Sequence, residues 1–448
     1  MDAPISIARR AARRRSAFVL AAVLAGMQAV PAWSAPAQMP FLTRTTNPAH
    51  PNLVYTLDDS GSMQWQFMPD STLPSNVNSY SMTFHHQDRR ARVLSGSPSY
   101  EPQVIPTRTN DLISARMRSP AYNTLYYNPE IRYQPWYRSD GTQFENSNPA
   151  AAWIYPTNRP PVGTATQREN AINNGLAVNL IGEIEAPSNV VWCRSNTSRT
   201  ANPTSVKDSE ANRTSGTCNA MNSGREKYAP ATYYVLNGAA NNHANFTRVR
   251  IMDSTTFTRG PGRTDCTVVG NVATCTQEQE YQNFANWFTY YRTRQYLAIG
   301  ASTQAFATLD PDSGLRVGYG RINKGQTNID GRSSTGTIER GVRRFIGNDR
   351  EQFFNWLHGQ GWSTSGTPLK RAMDDVGQYY SWTDARGPWG NTPGTNDTSA
   401  QLECRKAYHI LMTDGYANET GGARDTARQG DFDNSNGPVI TGPGGASH

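Results

Sequence analysis

Three short segments of this 448-residue chain have the apolar pattern of β-strands. Residues 52–57 and 407–412 are nearly uninterrupted apolar runs, which predict buried strands. Residues 315–322 alternate with the two-residue period of a strand. The first and last of these segments are followed at once by acidic and hydroxyl-bearing residues. Polar oxygen atoms are therefore expected where the predicted strands end.

The stretches between these strands have helical patterns. Aromatic residues recur at three- and four-residue intervals across 279–309, which predicts one long amphipathic helix that is broken or ends near Gly300. A short helix is expected at 351–358, and another begins with Thr367 as N-cap and Pro368 in its first position. Strands that alternate with helices favour an α/β fold with a doubly wound sheet, whose sites form at the carboxyl ends of strands.

A long polar region, residues 64–276, separates the first predicted strand from the long helix. It contains most of the Pro, Asn and Ser, and the mean hydropathy of the whole chain is −0.67. Such a region is either an inserted subdomain or partly disordered. Within it, aromatic residues interleaved with proline at 120–136 predict a loop packed on the core, in preference to a stacking surface for sugar or nucleic acid.

The first 37 residues have the order of a secretory signal peptide. Five arginines between Arg9 and Arg15 precede the apolar run 17–27, and small residues around Ala35 provide a cleavage site. The apolar run is short for a membrane span. Removal of residues 1–37 takes away five Arg and one Asp, so the formal net charge falls from +7 to +3. This near balance gives no support to a nucleic-acid partner.

Five cysteines fit an oxidising, exported setting. Gly270-Asn271 is a two-residue hairpin turn signal, and pairing outward from it places Cys266 opposite Cys275, within disulfide reach. Zinc binding is the alternative, but no CxxC pair or histidine cluster supports it. By elimination Cys193 and Cys218 are a second candidate pair. Cys404 is left over.

Five oxygen-bearing residues form a candidate metal site: Asp58, Ser60, Ser62, Thr367 and Asp414. Carboxylate and hydroxyl oxygens are hard ligands of the kind that Mg²⁺ accepts. Only one residue of the opening trio is charged, so a bound ion would keep room for an outside carboxylate. Each residue alone has an ordinary alternative as a strand-capping turn, a helix N-cap or a turn aspartate. On the residues alone, these alternatives stay open beside metal binding.

The order of these residues resembles the metal-ion-dependent adhesion site of von Willebrand factor A domains. Further segments are similar to the PilY/PilC family of type IV pilus biogenesis proteins, from about residue 50 to residue 440. Those segments are Tyr126–Pro129 with Pro135-Trp136, Asn283–Arg294, Gly366–Leu369 and Cys404–Tyr416. The resemblance implies a von Willebrand A-like domain over 50–448 with a large insertion at about 64–276.

The resemblance also implies a function. Family members are exported to the periplasm, outer membrane or pilus tip and cell surface, where they assist pilus assembly, twitching motility and surface attachment. The implied partners are minor pilins or a tip complex, and a host or surface ligand that offers a carboxylate. The implied cofactor is a divalent metal ion, Mg²⁺ first with Ca²⁺ or Mn²⁺ as alternatives, and Asp414 binds it directly or through water. The membrane is involved only through export.

The chain departs from the family at its end. Family members continue through the rest of the A domain into a C-terminal β-propeller, whereas 34 residues follow Asp414 here. We interpret Asp431, Asp433 and Ser435 in that tail as a solvated loop, because a Ca²⁺ loop would need Gly and Glu where Asn436 and Gly442 stand. The expectation is an A-like domain cut short at its C-terminal end, and incomplete in function when alone.

Two other functions remain open from the sequence. One is a secreted von Willebrand A-type adhesin unrelated to pili. The other is a metal-dependent hydrolase, which is disfavoured because the sequence contains no nucleophile elbow and no catalytic Cys/His arrangement. We therefore expect a binding protein and no enzyme.

Overall fold

The computed structural model describes residues 49–69, 112–185, 191–193, 218–220, 227–333, 336–361, 365–397, 401–402, 405–415 and 417. From His50 onward these residues belong to one compact unit. The predicted signal peptide, Cys404 and the predicted solvated loop of the tail lie outside the described residues. Among the residues described, no helix has both the length and the apolar content needed to cross a membrane.

The described chain alternates between strands and helices. Its α-helices are α1 Leu112–Met117, α2 Ala165–Asn173, α3 Gln277–Tyr290, α4 Arg294–Ala307, α5 Gly347–His358 and α6 Leu369–Tyr380. Its strands are β1 Asn52–Leu57, β2 Ala152–Trp153, β3 Ala177–Val178, β4 Ile184–Glu185, β5 Val191–Cys193, β6 Cys218–Ala220, β7 Lys227–Tyr228, β8 Thr232–Leu236, β9 Phe246–Arg250, β10 Thr256–Arg259, β11 Thr267–Val269, β12 Val272–Thr276, β13 Arg316–Arg321, β14 Asn328–Ile329, β15 Arg332–Ser333, β16 Ile338–Arg344 and β17 Ala407–Met412.

A four-stranded sheet with the order β16-β13-β1-β17 forms the centre of the molecule. β1 is parallel to both β13 and β17, and β16 is antiparallel to β13. The last residue of β1, Leu57, lies opposite Arg321 of β13 and Met412 of β17. The carboxyl ends of the three parallel strands therefore coincide at one edge.

Helices cover both faces of this sheet because the side chains of β1 alternate between them. Tyr55 belongs to a buried cluster with Phe306 of α4 and Phe353 of α5. The next residue toward the amino end, Val54, belongs to a different cluster that contains Val376 of α6. The structure is thus a mixed α/β sheet between two helical layers, as the alternation of strands and helices predicts.

The chain between β1 and β13 forms a second packed region. Its short strands pair antiparallel, and its largest hydrophobic cluster is built around α3. Tyr126 contacts Trp287 of α3 with ring centroids 4.7 Å apart, and the indole of Trp136 donates to the carbonyl of Tyr290 at 2.8 Å. The prediction that this aromatic segment packs on the core is confirmed.

The prediction of one long helix across 279–309 is wrong in the position of its break. The helix ends at Tyr290, and α4 begins after Thr293, whose hydroxyl caps it by accepting from the amide of Tyr296. Gly300 lies inside α4. A Cβ at this position would lie 2.8 Å from the ring of Tyr291 and 3.1 Å from the indole of Trp136, so only glycine fits there without a shift of these side chains. This glycine permits close packing, and does not end the helix.

Two smaller predictions also differ from the structure. α6 begins at Leu369 with Pro368 at the N-cap position, one residue later than expected, so Thr367 precedes the cap. β17 is not fully buried: Tyr408 is 41% exposed and Ile410 is 43% exposed. The reason is its position at the end of the described sheet, where β1 is its only strand partner among the described residues.

Cysteines cross-link one hairpin of the second region. Cys266, which directly precedes β11, forms a disulfide with Cys275 of β12, and their Cα atoms are 4.8 Å apart. The pairing of Val269 with Val272 has the register that the Gly270-Asn271 turn predicts. In β5 and β6 the backbone register places Cys193 directly opposite Cys218.

Candidate metal centre

Two loops meet at the carboxyl edge of the central sheet. Asp58 directly follows β1, and Asp414 lies two residues beyond β17. The amide of Asp58 donates to the carbonyl of Met412 at 2.8 Å, which extends the parallel pairing one residue past the strand. Because adjacent parallel strands end together, residues 356 positions apart in sequence lie side by side here.

Side-chain hydrogen bonds join these two loops into one polar cluster. The hydroxyl of Ser62 donates to Oδ1 of Asp414 at 3.0 Å, and the hydroxyls of Ser60 and Ser62 are 3.1 Å apart. Oδ2 of Asp58 accepts from the hydroxyl of Thr413 at 2.7 Å. Oδ1 of Asp58 accepts from the amide of Ser60 at 2.8 Å, the geometry of an Asx turn.

The loop that contains Thr367 lies against the same cluster. The amide of Gly61 donates to the carbonyl of Ser365 at 3.0 Å. Asn323 donates to the carbonyl of Gly366 at 2.8 Å and to the carboxylate of Asp59 at 3.1 Å. Thr367 is 6% exposed in this loop. The structure therefore brings together all three loops that the sequence predicted as sources of ligands.

Burial raises the pKa of the Asp58 carboxyl, and the neighbouring charge of Asp414 raises it further. Hydrogen bonds from Ser60 and Thr413 oppose this shift without cancelling it. Burial also raises the pKa of Asp59, against hydrogen bonds from Asn323. The fold thus disfavours the ionised form of Asp58, and a nearby cation would favour it.

Arg294 is a member of this site that the sequence did not reveal. Its Nη1 donates to Oδ2 of Asp414 at 2.7 Å, and both side chains are 3% exposed. The sequence pattern placed Arg294 in the amphipathic helix, between aromatic residues. Its position just after a threonine N-cap is the one local signal that sets it apart, because a cation is unusual at a helix start.

The residues present fit a hard divalent cation. The predicted set supplies two carboxylates and three hydroxyls: Asp58, Ser60, Ser62, Thr367 and Asp414. In the described part of the chain, no cluster of three or more His, Cys, Asp or Glu side chains has the placement of a metal site. An oxygen set that relies on hydroxyl groups is suited to Mg²⁺ or a similar ion, and unsuited to metals that prefer nitrogen or sulfur ligands.

The chain is similar to three curated proteins named type IV pilus biogenesis factor PilY1, all from Pseudomonas aeruginosa. It is 29% identical to the protein of strain PAK over 383 residues, which are 84% of this chain and 25% of that relative. It is 26% identical to the protein of strain UCBPP-PA14 over 371 residues, which are 82% of this chain and 23% of the relative.

The match to the protein of strain PAO1 is shorter and closer. It is 38% identical over 156 residues, which are 34% of this chain and 13% of the relative. The chain therefore spans about a quarter of the length of the curated relatives that it matches over most of its own length. No family profile matches the chain, and no solved structure matches it.

Proposed function

We propose that this chain, a member of the PilY family of type IV pilus biogenesis factors, is an exported, non-enzymatic binding protein of the pilus. In this proposal it supports pilus assembly, twitching motility and surface attachment, together with minor pilins or a tip complex. Its central sheet is a von Willebrand factor A-like domain. Its candidate metal centre holds Mg²⁺, or Ca²⁺ or Mn²⁺ in its place.

One observation supports metal binding above the others. The hydroxyl of Ser62 donates to Asp414, so the motif after the first strand and the aspartate after the last strand share one hydrogen-bonded cluster. A capping turn would need no partner from a strand roughly 350 residues away. This convergence of oxygen atoms at the carboxyl edge of a parallel sheet is typical of ligand sites in α/β proteins.

The charge of the cluster indicates how the ion would be held. Asp58 and Asp414 supply two negative charges and Arg294 supplies one positive charge. In the proposed role Asp58, Ser60 and Ser62 contact the ion, Thr367 contributes its hydroxyl, and Asp414 binds directly or through water. A bound divalent ion supplies a Lewis-acidic position for an outside carboxylate, and the proposed ligand is a host or surface molecule that carries one.

Thermal unfolding in Mg²⁺ or Mn²⁺ tests this proposal. A ligand that binds only the folded state raises the free energy of unfolding, by about 2.7 kcal/mol when its concentration is 100 times Kd, and the Tm rises as a result. Asp58→Ala should remove that increment because it deletes a charged ligand. Asp59→Asn is the matched control, because Asp59 is next to Asp58 in the same loop but its carboxylate accepts from Asn323, which follows β13. An Asp58→Ala protein that responds to metal like the parent would show that the site is elsewhere.

The role in pili is tested separately in cells. A strain without its own PilY homologue should regain pili and twitching when it expresses the complete gene, and should regain less with the Asp58→Ala variant. Normal pili and twitching with that variant, at equal protein levels, would separate the metal centre from pilus biogenesis. Loss of surface attachment alone would favour the adhesive role over assembly.

A further inference from the structure

Arg294 places a positive charge beside the candidate metal centre, where a divalent cation would also have to bind. Its Nη1 donates to Oδ2 of Asp414, and Oδ1 of the same carboxylate accepts from the hydroxyl of Ser62. The carboxylate of Asp414 is therefore divided between a guanidinium on one oxygen and a candidate ligand hydroxyl on the other. Any ion held next to Ser62 would share Asp414 with this arginine.

The helix gains nothing from an arginine at this position. Arg294 is the first residue of α4, where the positive end of the helix dipole disfavours a cation. The N-cap Thr293 already accepts from the amide of Tyr296 at 3.1 Å. The interactions that favour Arg294 therefore come from outside its own helix.

The loop after Ser62 fixes the guanidinium from its other side. Nε of Arg294 donates to the carbonyl of Phe67 at 2.9 Å. The guanidinium carbon lies 4.8 Å from the ring centroid of Trp65 and 5.3 Å from that of Phe67, and these two rings stack on each other. Departure of Arg294 from Asp414 would break these buried contacts, so its charge stays in the site.

We infer that Arg294 is a built-in counter-cation that positions Asp414 and lowers the affinity of the metal centre for divalent ions. This inference rests on the proposed metal site. Like charges separated by a few ångströms inside a protein repel strongly, so the arginine weakens binding by about tenfold or more. A site of reduced affinity responds to changes in metal concentration, whereas a tight site stays filled.

Mn²⁺ titration calorimetry of the purified chain and its Arg294→Gln variant tests the inference. The variant should bind Mn²⁺ about tenfold or more tightly than the parent, because the repulsive charge is removed. Without metal its Tm should fall, since Asp414 loses its buried partner, and Mn²⁺ should raise that Tm by more than it raises the parent's. Arg294→Lys keeps the positive charge but loses the planar guanidinium that contacts Trp65 and Phe67, so its affinity should stay closer to that of the parent than the affinity of Arg294→Gln does.

Arg350→Gln is the matched control. Arg350 is another largely buried arginine, and its guanidinium donates to the carbonyls of Ser139, Ala307 and Leu309. The substitution removes one buried positive charge and leaves the hydrogen bonds of Asp414 unchanged. The control should lose stability and keep the affinity of the parent for Mn²⁺. A gain in affinity there would mean that any lost arginine has this effect, and would overturn the inference.

The outcomes separate the inference from the proposed function. Equal or weaker Mn²⁺ binding by Arg294→Gln, with binding by the parent, overturns the inference and leaves the metal site standing. No binding by either protein overturns both. Binding by the variant alone supports the inference and contradicts metal binding by the parent. If Arg294→Gln folds only in the presence of Mn²⁺, the inference is supported. If Arg294→Gln folds neither with nor without Mn²⁺, the Arg294→Lys variant decides. Binding of Mn²⁺ by Arg294→Lys that is about tenfold weaker than binding by the parent overturns the inference.

Discussion

Among the residues that the structure describes, two groups of largely buried arginines and carboxylates differ in their charge balance. The first, here named the anchor network, consists of Tyr127, Arg259, Arg263, Asp265 and Glu280 in the second region. Two arginines there face two carboxylates. The metal centre contains one arginine, Arg294, against Asp58 and Asp414.

The charged groups of the anchor network bond to one another. Oε1 of Glu280 accepts from Arg263 at 2.6 Å and from Arg259 at 3.0 Å, while Oε2 accepts from the hydroxyl of Tyr127 at 3.0 Å. Arg263 also forms two 2.9 Å bonds to the two oxygens of Asp265. Glu280 and Arg263 are fully buried. Such a network holds the helix to its surroundings and leaves no charge for a ligand.

In the candidate metal centre, Asp58 and Asp414 have Arg294 as their one arginine partner within this group, and the hydroxyls of Ser60 and Ser62 lie beside them. Desolvation of an unbalanced carboxylate costs free energy, and this cost shows in the raised pKa of Asp58. Burial of charge therefore does not by itself mark a functional site. The combination of two carboxylates, one arginine and neutral oxygen atoms distinguishes the candidate metal centre.

The largest expected effect comes from opening the anchor network. Glu280→Gln leaves Arg263 and Arg259 without their shared carboxylate in a buried position, so the free energy of unfolding should fall by about 3–5 kcal/mol. Urea unfolding with and without Mg²⁺ measures it. The loss should be the same with and without Mg²⁺, because the network holds no ion. A loss below about 1 kcal/mol would show that the network contributes little to stability.

A smaller effect is expected from pH. Burial, followed by the charges of Arg159 and Arg138, lowers the pKa of His358 to about 4 from 6.5, while its hydrogen bond to Tyr137 opposes the shift. The unfolded chain therefore binds the proton first, and stability is lost as pH falls from about 6.5 toward 4. This contribution should reach about 2–3 kcal/mol at a pH of about 4.

Parallel unfolding of the parent and His358→Gln at about pH 7 and about pH 4 isolates that contribution. His358 stacks on Trp136 of the second region, with ring centroids 6.0 Å apart. The effect should therefore appear with and without metal, unlike any effect of the metal centre. An equal loss of stability in both proteins between the two pH values would mean that His358 is protonated in the folded state as readily as in the unfolded chain.

The strands that lead into Asp58 and Asp414 could be predicted from the sequence because local patterns mark strand ends. The runs before Asp58 and Asp414 predict strands, and parallel strands in one sheet end together, so side chains from distant segments could be placed side by side. The segment around Thr367 was included because of the resemblance to von Willebrand factor A domains, and its helix begins one residue later than expected. The central strands and the helices on both faces follow from the same reasoning.

The roles of Arg294 and Gly300 could not be predicted from local patterns, because both residues contact side chains that are distant in the sequence. Arg294 contacts an aspartate 120 positions away, and its position at a helix start, unusual for a cation, does not identify that partner. Gly300 has the usual signature of a helix break, but a close contact with Trp136 decides its role. Charge balance and close packing depend on tertiary contacts, so the pattern of apolar residues carries no information about them.

The smallest expected effect comes from Asp58→Asn in the absence of metal. The asparagine would keep the shape of the native side chain: its oxygen can accept from the amide of Ser60, and its amide can donate to the hydroxyl of Thr413. The substitution would also remove a carboxylate whose ionised form the fold disfavours. The free energy of unfolding at neutral pH should therefore rise or fall by no more than about 1 kcal/mol.

Urea unfolding of Asp58→Asn and Glu280→Gln, each with and without Mg²⁺, measures how the two sites differ. Both variants remove one buried negative charge, but only Glu280 has two arginines as partners. The anchor variant should lose stability in every condition, whereas the metal-centre variant should match the parent without metal and fall behind it when Mg²⁺ is added. A metal-free loss of about 3 kcal/mol or more in Asp58→Asn would show that Asp58 is a structural group like Glu280, with its charge already balanced inside the fold.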